Sequence, residues 1–347
     1  MWTLITYEYK KLFHSPLQKL LPLIVILFPL LFSTFFTEIP DESIKREFYH
    51  SIKGEMNEAW FANLETYYTL DEATQYPVET DVISQQAYRL FQLKSDTVKK
   101  SWNELGNEKQ YDFIKKEMNQ KSFYFDDNIS WLKLIGALNM FGIFYSIYIV
   151  ITITPIFSQE YNEHMMDNIK TTKVGKYHAG ISKTICALLL VLTLPVIAFA
   201  FYYGVIALTQ GFTDGSISLI LTSRTMNPFT YRQEFFYGFL TTIVGGLSVC
   251  AISLTLSNFI KNSYLSMATS LGLLLIPTFF YMNINGILIT QLFPFWFMMV
   301  SKVYESSPFI TLQETTMYYK DWICLVWIPL SILLFMISII KYRLREA

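Results

Sequence analysis

Charge is scarce in this chain. Only 16% of its 347 residues are Asp, Glu, Lys or Arg, against about 25% in an ordinary globular domain. Cysteine is scarcer: Cys186, Cys250 and Cys324 each lie within or at the edge of an apolar run. No disulfide framework can be read from them, and buried small residues are the simplest account. No G-x-x-x-x-G-K-[ST] occurs; Gly175-Lys176 is followed by Tyr177 and lacks the upstream glycine, so a phosphate loop of that kind is excluded. No H-E-x-x-H occurs either. The four histidines, His14, His50, His164 and His178, all fall outside the apolar runs, which argues against an intramembrane metalloprotease. No run carries an ionisable residue near its middle, and ion-driven carriers usually need one on the pathway. Nothing points to catalysis on this chain, to a resident cofactor or to nucleic acid.

What is present is apolar length. Hydrophobic residues make up 52% of the chain and aromatics 17%, gathered into runs near the 20 residues that cross a hydrocarbon core as a helix. The reading is an all-α membrane protein with six transmembrane helices, at 17–36, 132–157, 184–208, 235–260, 264–282 and 322–340. Residues 1–16 form an amphipathic interfacial helix, with Trp2, Ile5, Tyr9, Leu12 and Phe13 at helical spacing and Pro16 ending it; a plain extension of the first span is the simpler alternative. Between spans five and six, within 283–321, the apolar stretch 287–300 is too short to cross, and Pro294 interrupts it. A re-entrant or interfacial helical hairpin fits better than a seventh span.

The distribution of charge sets the orientation. Segments 1–16, 158–183, 261–263 and 341–347, with the start of span one, hold Lys10, Lys11, Lys19, Lys170, Lys173, Lys176, Lys183, Lys261, Lys341, Arg343 and Arg345. The opposite short loops, 209–234 and 283–321, hold only Arg224, Arg232, Lys302 and Lys320. The excess of Lys and Arg places both termini in the cytoplasm of a plasma-membrane protein. The polar segment 37–131 then lies outside. It has 18 acids against 11 bases over residues 38–131, a net of −7, and its breaker-poor stretches read as a mostly helical extracellular domain. That charge suits a cationic ligand or simply a solvated domain. Small residues four apart, Gly142 with Ser146 and Gly246 with Cys250, mark places where helices can approach closely.

The loop 158–183 is the polar centre of the pattern. Ser158 reads as an N-cap, Glu160 lies in the first turn, and Gly175 reads as the C-cap of a short helix. Glu160, Glu163 and Asp167 share one face; Met165, Met166 and Ile169 share another. An amphipathic helix with no lipid for its apolar face suits a protein groove; the same pattern fits an ordinary solvated loop helix. Glu160, Glu163 and His164 are metal-ligand types, but such a set on a surface loop is ordinarily just solvated. Asn139, Thr152 and Thr154 place polar groups at depth and are candidates for a substrate pathway.

Several short stretches resemble the permease subunits of bacterial ABC-2 type (type V) ABC transporters. Tyr7-Glu8-Tyr9-Lys10-Lys11-Leu12 before Ser15-Pro16 is similar to the family's opening helix. Phe157-Ser158-Gln159-Glu160-Tyr161, then Gly175-Lys176, then Lys183, is similar to its F-S-x-E…G-[KR]…K loop, and Leu292-Phe293-Pro294-Phe295 to its hairpin element. His164-Met165-Met166 stand where the family often has a small Gly-Thr pair. The resemblance implies an exporter subunit that is not itself an enzyme. ATP and Mg would sit on a separate ABC ATPase chain, and a second permease copy, identical or related, would complete the assembly. It also implies that Glu160, Tyr161, Glu163, Met165, Met166, Ile169, Gly175 and Lys176 meet the ATPase, and that the cargo is an antimicrobial peptide or a lipid-like molecule. The alternative is a membrane sensor or scaffold whose outer domain binds a ligand and signals through 158–183.

Overall fold

The computed structural model describes residues 2–13, 16–36, 46, 53–55, 116, 124–162, 175–213, 215–217, 219, 229–275, 283–284, 287–288, 292–301, 309–312 and 315–344. Most of the segment 37–131, residues 163–174 and residues 276–282 lie outside this set. The expected helical character of the outer segment, the amphipathic face of Met165, Met166 and Ile169, and the end of span five therefore fall outside the described residues.

The described chain is mostly helical. Helices α1 (Trp2–Leu12) and α2 (Pro16–Phe36) open it. Helix α3 (Ile129–Ile153) follows, then α4 (Pro155–Asn162), α5 (Gly175–Gln210), α6 (Tyr231–Phe259), α7 (Ser263–Leu275) and α9 (Tyr319–Leu344), with a single turn, α8 (Pro294–Phe297), before the last. Four stretches are long and apolar enough to cross a membrane: Ile129–Glu160, His178–Gln210, Tyr231–Phe259 and Tyr319–Leu344; Gln18–Ser33 and Ser263–Leu275 are shorter apolar helices.

Packing sorts these helices into centre and rim. The apolar windows of α3 and α6 are each 61% buried inside the protein, that of α9 only 22%, so α3 and α6 form the core. Gly246 of α6 faces the Tyr145 ring of α3 closely enough that a Cβ there would collide with it. Gly142 serves a different purpose from the helix contact expected of it: a Cβ there would strike the backbone carbonyl of Met298, so it makes room for a loop rather than for a helix.

Of the helical hairpin expected within 283–321, the described residues hold a strand pair and one helical turn. Strands β3 (Asn283–Ile284) and β4 (Ile287–Leu288) form a minimal antiparallel hairpin, and α8 supplies one helical turn with Pro294 at its start. Irregular backbone within a membrane bundle must find partners in protein. The Asn139 side chain of α3 does this in both directions: its Nδ2 donates to Ser301 Oγ (2.7 Å), and its Oδ1 accepts from the Ser301 N–H (2.7 Å). Thr242 of α6 donates to Met298 O (3.5 Å), and Trp327 of α9 donates to Leu292 O (3.1 Å).

Where the chain leaves and re-enters the bundle around 37–131, β1 (Gly54–Glu55) pairs antiparallel with β2 (Tyr124–Phe125). Two ion pairs flank this contact: Lys53 to Asp126 (2.7 Å) and Arg46 to Asp127 (3.0 Å). Arg46 also donates to Ser130 Oγ and Gln210 Oε1, tying the contact to the ends of α3 and α5. A last antiparallel pair, β5 (Phe309–Leu312) with β6 (Thr315–Tyr318), leads into α9.

Candidate functional site

The loop expected at 158–183 is built differently from its sequence pattern. Thr154 and Pro155 break the long helix, because proline has no N–H to continue the ladder. The chain resumes at once as α4. Ser158 is inside that helix, its Oγ donating to Thr154 O (3.2 Å), and is no N-cap. Gly175 is the first residue of α5. Ser257 of α6 accepts the N–H groups of Phe157 and Ser158 (3.3 and 3.1 Å), replacing the partners the break removed. Tyr161 lies in α4 and Lys176 in the first turn of α5, both with side chains outside the described residues; Glu163, Met165, Met166 and Ile169 lie outside altogether.

Glu160 does not face outward. Its side chain is 3% exposed and is held at 2.7 Å from Lys183 Nζ of α5, itself 1% exposed. Lys183 also reaches Glu8 of α1 (3.1 Å) and donates to Ile156 O (3.2 Å). Tyr342 of α9 donates its hydroxyl to the second Glu160 oxygen (3.0 Å) and packs its ring 4.9 Å from that of Phe157. One ammonium thus binds two carboxylates, and four elements, α1, α4, α5 and α9, meet at a single buried polar knot. Sequence reasoning named Glu160 and Lys183 in the loop pattern but gave no role to Glu8 or Tyr342. The usable signal was Glu8 itself, set beside Ile5 on the helix face that is buried. Beside the knot Cys186 Sγ approaches Ile5 O at 3.1 Å, and Asn258 of α6 donates to both Ser338 O and Ser338 Oγ of α9 (3.0 and 2.6 Å).

The pathway candidates are not brought together. Asn139 secures Ser301, about 20 Å along α3 from Thr152 by helical rise. Thr152 borders a cleft of about 30 Å³ with Glu8, Gln18, Pro155 and Lys183. Thr154 is buried, its Oγ1 without a hydrogen-bond partner among the described residues.

No family of proteins, curated protein or solved structure matches the chain.

The large cavity lies elsewhere, at the opposite end of α5 from Lys183. It measures about 660 Å³ and is walled by Val196, Phe199, Ala200 and Tyr203 of α5 and by Arg232, Phe235, Phe236 and Phe239 of α6, with Trp131, Phe212 and Thr213 closing it. Each helix contributes positions i, i+3, i+4 and i+7, one continuous stripe. The rings brace one another: Tyr203 stacks on Phe212 at 4.7 Å and 10°, Trp131 lies 4.8 Å from Phe212, and Phe199 lies 5.0 Å from Phe239. Gly215, at φ +68°, sits against the Trp131 indole with no room for a Cβ. Trp131 donates to Thr213 O (3.3 Å), so its ring is fixed. None of the eleven wall residues was singled out as a site from sequence, although both stripes are visible there.

Proposed function

We propose that the chain is the membrane-spanning permease subunit of an ATP-driven exporter, with six crossings, both termini in the cytoplasm of a plasma-membrane protein, and residues 37–131 outside. The observation that carries this reading is the Glu8–Lys183–Glu160–Tyr342 knot. It stands at the roots of the segment 163–174, where α4 ends and α5 begins. A pull or push on that segment would be passed through rigid buried contacts to α1, α5 and α9 together. A segment that only joins two helices has no need of such an anchor. The F-S-x-E and G-K elements fall on the same two helix ends. ATP and Mg would be held by a separate ABC ATPase chain docked on 163–176 through Met165, Met166 and Ile169, and a second permease would complete the pair.

A second reading draws on the other end. The β1–β2 pair and the Arg46–Asp127 and Lys53–Asp126 ion pairs fasten the outer segment to α3 and α5, which would also serve a sensor that signals ligand binding inward.

The test is gentle-detergent purification of the tagged chain from cells expressing its neighbouring genes, followed by mass spectrometry and an ATPase assay. The permease reading expects a stoichiometric ATPase with vanadate-sensitive turnover, lost in Met166→Asp/Ile169→Asp while the membrane fold is retained. A clean chain with no ATPase overturns it and favours the sensor.

A further inference from the structure

Hydroxyl groups inside a helix commonly close back on their own backbone, donating to the carbonyl about one turn earlier. Ser248 and Thr255 of α6 and Thr269 of α7 do so, to Val244 O, Ala251 O and Leu265 O (2.7 Å each). Ser253 of α6 and Ser270 of α7 do not. Both are buried, at 1% and 2% exposure, and neither Oγ has a hydrogen-bond partner among the described residues. A buried hydroxyl left unmatched is costly, and these two border the same small cavity. It lies between α3, α6 and α7, against Phe293-Pro294-Phe295, where the irregular segment enters α8. The rest of its described wall is aliphatic, and no charged residue is among the described residues that line it. Its volume is about 10 Å³, near the roughly 10–15 Å³ that one water needs.

We propose that this cavity is the site of one resident water, which hydrogen-bonds Ser253 and Ser270 and so joins α6 to α7 beside Pro294. The volume admits nothing larger. The wall favours a neutral ligand, because a buried ion needs an opposite charge or many polar ligands. Each hydroxyl offers one donor and two acceptor sites, so the pair meets the lower end of the roughly two to four hydrogen bonds that buried waters make. The place suits a water as well: where a membrane bundle holds irregular backbone, ordered water is one of the means by which buried polar groups are satisfied. The inference rests on this cavity alone and is independent of any ATPase partner.

Hydroxyl radicals generated by X-rays form from water where it sits and oxidise the side chains beside it. The full chain in phosphatidylcholine nanodiscs is irradiated for milliseconds, digested and read by mass spectrometry. Pro294 and Phe295, both buried against the cavity, should be oxidised at least threefold faster than Phe141, which is buried (0% exposed) and does not border it. In Ser253→Ala/Ser270→Ala the wall becomes wholly apolar. Apolar cavities stay dry, so the excess oxidation should vanish. A second measurement follows unfolding in mixed micelles titrated with SDS. Because the two serines share one ligand, the effects of Ser253→Ala and Ser270→Ala on the folding equilibrium should depart from simple multiplication by at least threefold in the double variant. Equal oxidation of Pro294, Phe295 and Phe141, an excess unchanged in the double variant, or multiplicative effects of the two substitutions overturn the proposal. So does suppression of the excess when sodium chloride replaces choline chloride in the buffer, which would assign the site to a cation.

Discussion

Replacing Lys183 with methionine puts the buried knot to its hardest trial. Methionine keeps most of the side-chain volume and removes the charge. Glu8 and Glu160 then face each other with no cation between them, at side-chain exposures of 11% and 3%. Leaving an uncompensated charge buried costs about 3–5 kcal/mol, and here two remain. Glu160→Gln is a milder change. Lys183 keeps Glu8, and the amide oxygen can still accept from Tyr342, so the cost should not exceed the roughly 1.5–3 kcal/mol of a hydrogen bond to a charged group. The decisive comparison is Glu8→Gln/Glu160→Gln/Lys183→Met, which is neutral throughout. Because charge is the penalty, this variant should be more stable than Lys183→Met alone despite carrying two further substitutions. Buried ion clusters replaced by neutral groups of similar size often lose little, and contacting residues couple by about 0.5–3 kcal/mol. Unfolding of the full chain in mixed micelles titrated with SDS, followed by circular dichroism, measures all three. A loss below about 1 kcal/mol in Lys183→Met, or a triple variant less stable than Lys183→Met, would refute the reasoning.

Two further predictions concern how the helices meet. Gly142→Ala drives a methyl into the Met298 carbonyl; overpacking of this kind costs about 1–3 kcal/mol, seen in the same titration, and wild-type stability would show that the 292–301 segment does not pack as described. Asn258→Leu removes two hydrogen bonds to Ser338, but Asn258 Oδ1 is buried without a partner among the described residues. With interhelical hydrogen bonds in membranes worth about 0.6–2 kcal/mol, and leucine sparing the unmatched oxygen, the net loss should stay under about 1 kcal/mol; a loss above about 2 would give Asn258 a larger role than its contacts support.

The apolar helices were legible because length and hydropathy report directly on crossing a hydrocarbon core. Spans expected at 184–208 and 235–260 correspond to Gly175–Gln210 and Tyr231–Phe259. The ends were harder to place. Thr230 and Gln233 form a capping box that starts α6 four residues before its apolar run, and α9 begins at Tyr319, ahead of the expected 322. Ser158 misled because it has the right residue type for a cap, but the chain around Pro155 passes from one helix into another, and a window of side-chain preferences contains no account of what packs against it. Glu160 and Asn139 misled similarly. A carboxylate in a polar loop reads as exposed until a lysine 23 residues later is seen to cover it, and an asparagine at depth reads as a pathway until Ser301 is found on both of its ends. The aromatic cavity was written in two stripes at helical spacing, Val196 to Tyr203 and Arg232 to Phe239, but which stripes face each other is decided by tertiary packing.

The pairing of residues 54–55 with 124–125 has an evolutionary consequence. Residues 55 and 124 lie side by side, so whatever lies between them enters and exits through a single doorway. An insertion with adjacent ends can be shortened, lengthened or exchanged without moving its host, and surface sites of this geometry are where domain insertion is best tolerated. Selection can therefore act on residues 56–123 and on the helices separately, with Arg46, Lys53, Asp126 and Asp127 as the frame that any replacement would have to fit.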